Sequence, residues 1–276
     1  KVLCKLFNIE DKEPDFEEWK KIVEAYHNPE KEITIALVGK YVELQDAYLS
    51  VVEALTAASI YHKAGVKLVW ADSKKIRSEE DAAKLLNGVD GIIVPGGFGL
   101  NGAEGMIFAA KFARENKVPY FGICLGMQIA VIEYALNVLG LEDANSSEFD
   151  KNCAHPVIDL MPDQKDVQLG GTLRLGLYRC VVAEKTLAEK AYKSHEIEER
   201  HRHRYEFNNL YRAQFDNTDL VFSGINPERN LVEIIELKNH PWFVAVQFHP
   251  EFTSRPNKPQ ALFKDFIEAA IIKSGK

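Results

Sequence analysis

"PYFGICLGMQIA" (residues 119–130) joins a short apolar run to the start of a helical pattern through a turn that carries a cysteine. Gly122 and Gly126 flank Cys124 two residues away on each side, which is the spacing of a G-x-nucleophile-x-G elbow. An elbow of this kind needs a strand entering and a helix leaving, and the flanking residues are apolar enough to supply both. The stretch therefore predicts a strand–turn–helix unit, the element from which α/β sheets are built.

The same alternation of strand and helix extends from this stretch toward the N-terminus. Apolar runs typical of buried strands alternate with helical patterns in the order 33–39, about 46–63, 66–71, about 78–87, 91–95, about 103–116, 118–123 and about 126–138. The later strand signals and the last helical pattern lie at 173–182, 231–237, 242–248 and about 258–273. Because right-handed crossover helices join parallel strands in such an order, we predict an α/β fold with an open, mostly parallel central sheet and helices on both faces.

The first 31 residues differ in composition from the rest of the chain. They are rich in charge and hold one helical pattern, which Asp15 can cap and Pro29 ends. The apolar positions that recur at helical spacing are Phe16, Trp19, Ile22, Val23 and Tyr26. We predict that residues 1–31 are an interdomain linker with a helix and that residues 32–276 form the main domain. Because the chain begins at Lys1 and not at Met, we expect it to be a piece of a longer protein.

Composition excludes several classes of protein. The 276 residues are 46% hydrophobic and carry a net charge of −7, which is typical of a soluble globular protein and argues against general nucleic-acid binding. No apolar run approaches the roughly 20 residues of a membrane span, and the N-terminal residues lack the features of a signal peptide. The four cysteines are far apart and form no CxxC pair, which predicts neither a disulfide framework nor a metal site and favours a cytoplasmic location. They are Cys4, Cys124, Cys153 and Cys180.

Cys124 at the start of a helix has two interpretations. The free N–H groups and the dipole of the helix would stabilise a thiolate nucleophile, whereas many lone cysteines are small core residues. A nucleophile also needs a base and a group that orients the base. "VAVQFHPEF" (244–252) offers His249 and Glu251 at the end of a strand-like run, where alternation predicts that both side chains project from one face. The pair could also be a solvated strand end, but together with the elbow it favours a Cys–His–Glu triad.

The glycine-rich stretch "PGGFGLNGAEG" (95–105) could be confused with a nucleotide-binding loop. Its G-x-G-x-x-G spacing after a strand and before a helix matches a dinucleotide fingerprint. That fingerprint also requires an acidic residue near the end of the next strand, where this chain has Cys124. We favour a different role, in which the N–H of Gly97 pairs with the N–H of Leu125 to form an oxyanion hole.

Three motifs, "PGGFG", "FGICLGMQ" and "QFHPEF", together resemble the class I (triad) glutamine amidotransferases, which implies their flavodoxin-like fold. Further stretches resemble the CTP synthase family, and the likeness covers residues 32–270. Those stretches are "VGKYVELQDAY" (38–48), "GGTLRLG" (170–176), "RHRHRYEFNN" (200–209) and "NHPWFVAVQFHPEF" (239–252). Only the C-terminal glutaminase domain of that family is matched. The resemblance therefore implies that residues 1–31 lead from an N-terminal synthetase domain, which would hold UTP, ATP and Mg²⁺.

The resemblance implies a role for each residue of the triad. Cys124 would attack the side-chain amide of L-glutamine, His249 would serve as base and acid, and Glu251 would orient His249. Ammonia would leave, water would hydrolyse the γ-glutamyl thioester, and the synthetase domain would use the ammonia to aminate UTP to CTP. The glutamine contacts implied by motif position are Gly97, Leu125, Gly126, Met127, Gln128, Glu148 and Arg204. A carboxylate suits the α-ammonium of glutamine, and a guanidinium suits its α-carboxylate.

The chain departs from the family pattern at one position. The family usually reads "GGFG-x-RG", whereas this chain has Asn101 in place of the arginine. That loop lies near the place where the allosteric activator GTP is thought to act, so the change puts GTP sensing in question but leaves the triad intact. The resemblance further implies no cofactor in this domain and a homotetramer for the full-length enzyme. The alternatives are another triad amidotransferase, a γ-glutamyl hydrolase, or a regulatory module without turnover.

Overall fold

Eight α-helices and twelve strands occur in the parts of the chain that the structure, a computed structural model, describes: residues 1–160 and 173–275. The helices are α1 (Val2–Leu6), α2 (Glu17–His27), α3 (Leu49–Tyr61), α4 (Glu79–Leu86), α5 (Ala103–Glu115), α6 (Leu125–Asn137), α7 (Leu187–Tyr192) and α8 (Ala261–Ser274). The strands are β1 (Lys31–Gly39), β2 (Ala64–Asp72), β3 (Gly91–Val94), β4 (Tyr120–Ile123), β5 (Ala144–Ser146), β6 (His155–Leu160), β7 (Arg174–Val182), β8 (Glu196–His203), β9 (Tyr205–Phe207), β10 (Leu220–Asn226), β11 (Leu231–Leu237) and β12 (Phe243–Val246). Residues 170–172 of the "GGTLRLG" motif lie outside the described residues.

The central sheet has nine strands in the order β2-β1-β3-β4-β12-β11-β10-β7-β8. The five strands from β2 to β12 pair in parallel, and the pairs from β12 through β8 are antiparallel. The predicted α/β fold with an open, mostly parallel central sheet is confirmed. The antiparallel extension reflects the second half of the chain, where strands follow one another with little helix between them.

Helices cover both faces of the sheet because the parallel strands are apolar on both faces. In β1, Ile33, Ile35 and Leu37 belong to one buried cluster, and Ala36 and Val38 belong to the other. Helices α3 and α8 contact each other on the first side, and α5 and α6 contact each other on the second. Two cores, one on each face, therefore hold the carboxyl ends of the parallel strands in place.

Strand β8 carries the basic stretch "RHRHR" and shows how alternation sorts its side chains. Arg200 and Arg202 are exposed, whereas His201 and His203 are buried beneath the sheet. Arg204, a predicted glutamine contact, lies directly beyond the end of β8 and is half-buried. The strand ends there because the chain turns into β9, which belongs to a separate three-stranded sheet with β5 and β6.

The buried side of the antiparallel strands contains a cluster of ionisable side chains. The guanidinium of Arg174 contacts a carboxylate oxygen of Glu233 at 2.7 Å and one of Glu206 at 3.7 Å. His203 lies 3.7 Å from Glu206, and its ring nitrogen is 2.8 Å from that of His201. Five side chains from four strands, β7, β8, β9 and β11, therefore meet in one place that no local sequence pattern predicts.

The predicted linker helix is present as α2. The backbone N–H of Glu17 donates to Oδ1 of Asp15 at 2.9 Å, as expected of a residue that satisfies the first turn. The helix contacts α3 and β2 but has no buried residue, and it exposes Phe16, Trp19 and Val23. In the described ranges, no helix combines the length and the apolar character needed to cross a membrane.

Candidate active site

The ends of four neighbouring parallel strands bring the predicted site residues together. Strands β1, β3, β4 and β12 lie side by side, so the segments that follow them meet at one edge of the sheet. Those segments begin with Lys40 after β1, Pro95 after β3, Cys124 after β4 and Gln247 after β12. The glycine loop 95–102 therefore lies between a lysine on one side and the cysteine on the other.

Cys124 occupies a strained elbow. Its φ of 52° lies in the left-handed region, its side chain is buried, and α6 begins at the next residue. Its backbone N–H donates to the carbonyl of Val246 on β12 at 2.7 Å. A Cβ on Gly122 would lie 2.7 Å from the carbonyl oxygen of Gly126, and a Cβ on Gly126 would overlap the carbonyl of Val94. Both flanking glycines are thus required by the close approach of backbone, as the elbow spacing predicts.

His249 and Glu251 form the second part of the site. Nδ1 of His249 lies 2.7 Å from Oε1 of Glu251, and both side chains are buried. Strand β12 ends at Val246, and Glu251 belongs to a 3₁₀ turn over Pro250–Thr253, so the turn and not the predicted strand alternation brings the pair together. The expected contact between His249 and Glu251 is therefore present, but a 3₁₀ turn and not a strand brings the two side chains together.

The pKa of His249 reflects two opposing influences. Burial alone lowers it, but the negative charge and hydrogen bond of Cys124, together with the hydrogen bond and charge of Glu251, raise it to about 10. The imidazole is consequently protonated at neutral pH and lies between a sulfur and a carboxylate. This arrangement holds a proton in position for transfer to a leaving group.

The glycine loop packs tightly against the triad. A Cβ on Gly96 would lie 2.7 Å from Cε1 of His249, so only glycine leaves room for the imidazole. A Cβ on Gly97 would lie 3.2 Å from the Leu125 side chain, which places this residue against the start of α6. Among the described residues, neither the N–H of Gly97 nor that of Leu125 donates a hydrogen bond. Both are free to serve as the predicted oxyanion donors.

A cavity of about 260 Å³ opens beside the sulfur of Cys124. Gly97, His249 and Glu251 line it together with exposed side chains that include Phe98 and Arg202. The residues that line it do not include Glu148, Arg204 or the predicted contacts on α6. Leu125, Gly126, Met127 and Gln128 are buried in the first turn of α6.

Three of the predicted glutamine contacts, Gln128, Glu148 and Arg204, interact with Tyr205. The side-chain amide of Gln128 donates to the Tyr205 carbonyl at 2.9 Å. Burial raises the pKa of Tyr205, Glu148 raises it further, and Arg204 lowers it, so both charges act on this ring. Oε1 of Glu148 also accepts from the N–H of Gly99 at 2.8 Å, so this carboxylate contacts the glycine loop directly.

Two residues at this edge of the sheet are absent from the sequence prediction. The side-chain amide of Gln247 donates to Sγ of Cys124 at 3.7 Å, and its carbonyl accepts from Gln128 at 3.3 Å. Lys40 is buried and reaches the glycine loop. Each stands directly after a buried strand, the position from which a site residue could have been inferred. Among the described residues, no group of three or more His, Cys, Asp or Glu side chains could hold a metal ion.

Comparisons with known proteins relate this geometry to a family. Residues 43–269 match the family model described as "Glutamine amidotransferase class-I". The chain is 77% identical over 271 residues to a CTP synthase of Treponema denticola, covering 98% of this chain and 51% of that protein. It is 60% identical over 272 residues to a CTP synthase of Bacillus velezensis, again covering 98% of this chain and 51% of that protein. The chain thus spans about half the length of these relatives.

A solved structure agrees with the sequence matches. It is the glutaminase domain of Trypanosoma brucei CTPS with bound acivicin, which superposes with a TM-score of 0.83 at 38% sequence identity. The match covers 87% of this chain and 94% of that one. The similarity therefore extends over nearly the whole of a domain that was solved on its own.

Proposed function

Because this chain belongs to the class I glutamine amidotransferase family, as its motifs predicted, we propose that it hydrolyses glutamine to glutamate and ammonia with Cys124 as the nucleophile. One observation carries the proposal. The sulfur lies on a strained elbow at the N-terminus of α6, beside an imidazole that is hydrogen-bonded to a buried carboxylate. These contacts support the roles of nucleophile, base and orienting group that nucleophilic catalysis requires.

The proposed reaction begins with His249 holding the proton that the Cys124 thiol gives up. The sulfur of Cys124 attacks the amide carbon of glutamine, and the N–H groups of Gly97 and Leu125 stabilise the charge that develops on the oxygen. His249 gives its proton to the nitrogen, the carbon–nitrogen bond breaks, and ammonia leaves. Water then loses a proton to His249 and attacks the thioester carbon, which releases glutamate and returns the thiolate and imidazolium.

Recognition of the substrate is assigned to the group of residues around Tyr205. Glu148 would accept the α-ammonium of glutamine, and Arg204 would bind its α-carboxylate through the guanidinium fork. The contact of Glu148 with the N–H of Gly99 supports this assignment, as does the position of Arg204 directly before Tyr205, whose carbonyl accepts from Gln128. The side chain of the substrate would then extend past the loop toward the sulfur.

We also propose that the chain is the glutaminase part of a longer CTP synthase, whose synthetase domain precedes residue 1. The relatives of twice its length support this arrangement. The apolar residues exposed on α2 support it as well, because a helix face of this kind is usually covered by another surface. That domain would bind UTP, ATP and Mg²⁺, use the ammonia to form CTP, and assemble into a homotetramer. GTP would act as activator through the loop carrying Asn101, and the location would be cytoplasmic.

The nucleophile assignment is tested by labelling with a diazo-ketone analogue of glutamine, followed by peptide mapping. We expect one modified residue, Cys124, and protection by excess glutamine. Changing Cys124→Ala should abolish both labelling and glutamine hydrolysis, whereas the matched variant Cys153→Ala should retain both. Labelling of folded protein at another residue, or turnover by the Cys124→Ala variant, would rule out the mechanism.

A further inference from the structure

Lys40 is a buried lysine that the proposed mechanism does not use. It stands directly after β1 and is only 2% exposed, and its ammonium donates to the carbonyl of Phe98 at 3.0 Å and to the carbonyl of Gly99. Burial lowers its pKa to about 8, and the charge of Glu148 opposes that shift. Burying an ammonium group costs free energy unless hydrogen bonds replace those it made to water. Here the hydrogen-bond acceptors are two backbone carbonyls of the glycine loop.

The peptide between Phe98 and Gly99 is held from both sides. Its carbonyl accepts from Lys40, and its N–H donates to Oε1 of Glu148 at 2.8 Å. Because a peptide unit is planar and trans, its carbonyl and N–H point in opposite directions. Rotation of this unit would therefore break a bond to a cation and a bond to an anion at the same time.

The glycine loop needs contacts with residues outside it to fix the orientation of its peptide units. It contains four glycines between residues 96 and 102, and Gly99 has a φ of +76°, in the region that favours glycine. Glycine has the largest conformational freedom of any residue, so a loop rich in it does not fix its own peptide orientations. The N–H that the mechanism needs, that of Gly97, belongs to the Gly96–Gly97 peptide, two peptide units before the clamped one.

We propose that Lys40 is a positioning residue that orients the glycine loop so that the N–H of Gly97 faces the oxygen of the reacting amide. The inference rests on the proposed function and deepens it. Glu148 connects the loop to the substrate. Its carboxylate has acceptor sites for both the N–H of Gly99 and the α-ammonium of the substrate. Binding of the α-ammonium at Glu148 is thereby linked to the orientation of the oxyanion loop.

The test compares Lys40→Met with Lys111→Met in the 276-residue chain, which corresponds to a domain solved on its own. Methionine keeps the length of the side chain and removes the charge and the donors, whereas Lys111 pairs with Glu79 at the surface. For Lys40→Met we expect kcat for glutamine hydrolysis to fall about 100-fold, the usual cost of a lost oxyanion donor. KM should change by less than about threefold, because the loss occurs in the transition state. Lys111→Met should match the parent chain.

Two further measurements separate positioning from other roles. Alkylation of Cys124 by iodoacetamide passes through no oxyanion, so its rate should be unchanged in Lys40→Met. Hydrogen exchange in the peptide covering 95–102 should become faster, while exchange in α6 stays the same. A kcat within twofold of the parent, or an equal loss of alkylation and hydrolysis, would overturn the proposal. If the parent chain itself does not hydrolyse glutamine, the proposed function fails, and unchanged exchange in the loop then overturns the role of Lys40 separately.

Discussion

His249 illustrates how a single side chain is set by its neighbours. Its burial favours the neutral ring, yet the sulfur of Cys124 and the carboxylate of Glu251 favour the imidazolium strongly enough to raise the pKa to about 10. Because this folded value lies above the usual 6.5, the ion contributes stability that is fully present below about pH 6.5. That contribution is lost as the pH rises toward and through about 10.

Glu251→Gln should lower the pKa of His249, since it removes a charge that stabilises the imidazolium. We expect the variant to be less stable than the parent at pH 6, and the difference to shrink steadily as the pH approaches 10. Denaturant unfolding across a pH series measures this, with Glu53→Gln on the exposed side of α3 as the control. A difference in stability that does not depend on pH would contradict the role of Glu251 as the partner of the imidazolium.

Strands β7 and β11 are linked through charged side chains although they are not neighbours in the sheet. Arg174 at the start of β7 binds Glu233 on β11 at 2.7 Å, and both side chains are almost completely buried. Burial raises the pKa of Glu233 to about 7, and Arg174 opposes that shift. The pair holds the antiparallel half together on the side from which the segment carrying His249 leaves β12.

Arg174→Met should destabilise the fold by about 3–5 kcal/mol, because it leaves the Glu233 carboxylate buried without its cation. A second change, Glu233→Gln, should recover part of that loss by removing the unpaired charge. Arg179→Met, on the same strand but in an exposed pair with Glu196, should cost less than about 1 kcal/mol. Urea unfolding of the single variants Arg174→Met, Glu233→Gln and Arg179→Met and of the double variant Arg174→Met/Glu233→Gln measures these values. Additive losses for Arg174 and Glu233 would show that the two side chains do not act as a pair.

The molecule places its candidate site where the parallel and antiparallel parts of the sheet meet. Cys124 follows β4 in the parallel part, and His249 follows β12, the last parallel strand and the first to pair antiparallel. Helix α2 contacts α3 and the outermost strand β2, and Trp19 and Val23 of the helix and Phe16 directly before it are exposed. These side chains are the surface through which the proposed synthetase domain would contact this domain.

Trp19 offers a test of this arrangement. It is 46% exposed, whereas Trp242 is buried. We expect acrylamide to quench the fluorescence of Trp19 in the 276-residue chain and to quench it much less in the full-length protein, because the preceding domain should cover α2. The signal of Trp19 is obtained as the difference between each protein and its Trp19→Phe variant. Equal quenching in both lengths would show that α2 stays exposed.

Local patterns were sufficient to predict the parallel strands, the helices between them and the elbow at Cys124. Each depends on the periodicity of apolar residues or on glycines a few positions apart, and such signals lie within one short stretch. The same stretches suggested the His249–Glu251 pair and the glycine loop, although the strand alternation assumed for the pair was wrong in detail.

Other features depend on which strands become neighbours. Lys40 reaches Phe98, Gln247 reaches Cys124 and Arg174 reaches Glu233 only after the chain has folded. The partners are separated by 58, 123 and 59 residues. Short-range periodicity cannot predict contacts between residues so far apart in the sequence. A polar residue at a strand end has the same local pattern whether it faces water or a partner. Burial by the neighbouring strands removes the water, and only then must each polar group find its bond inside the protein.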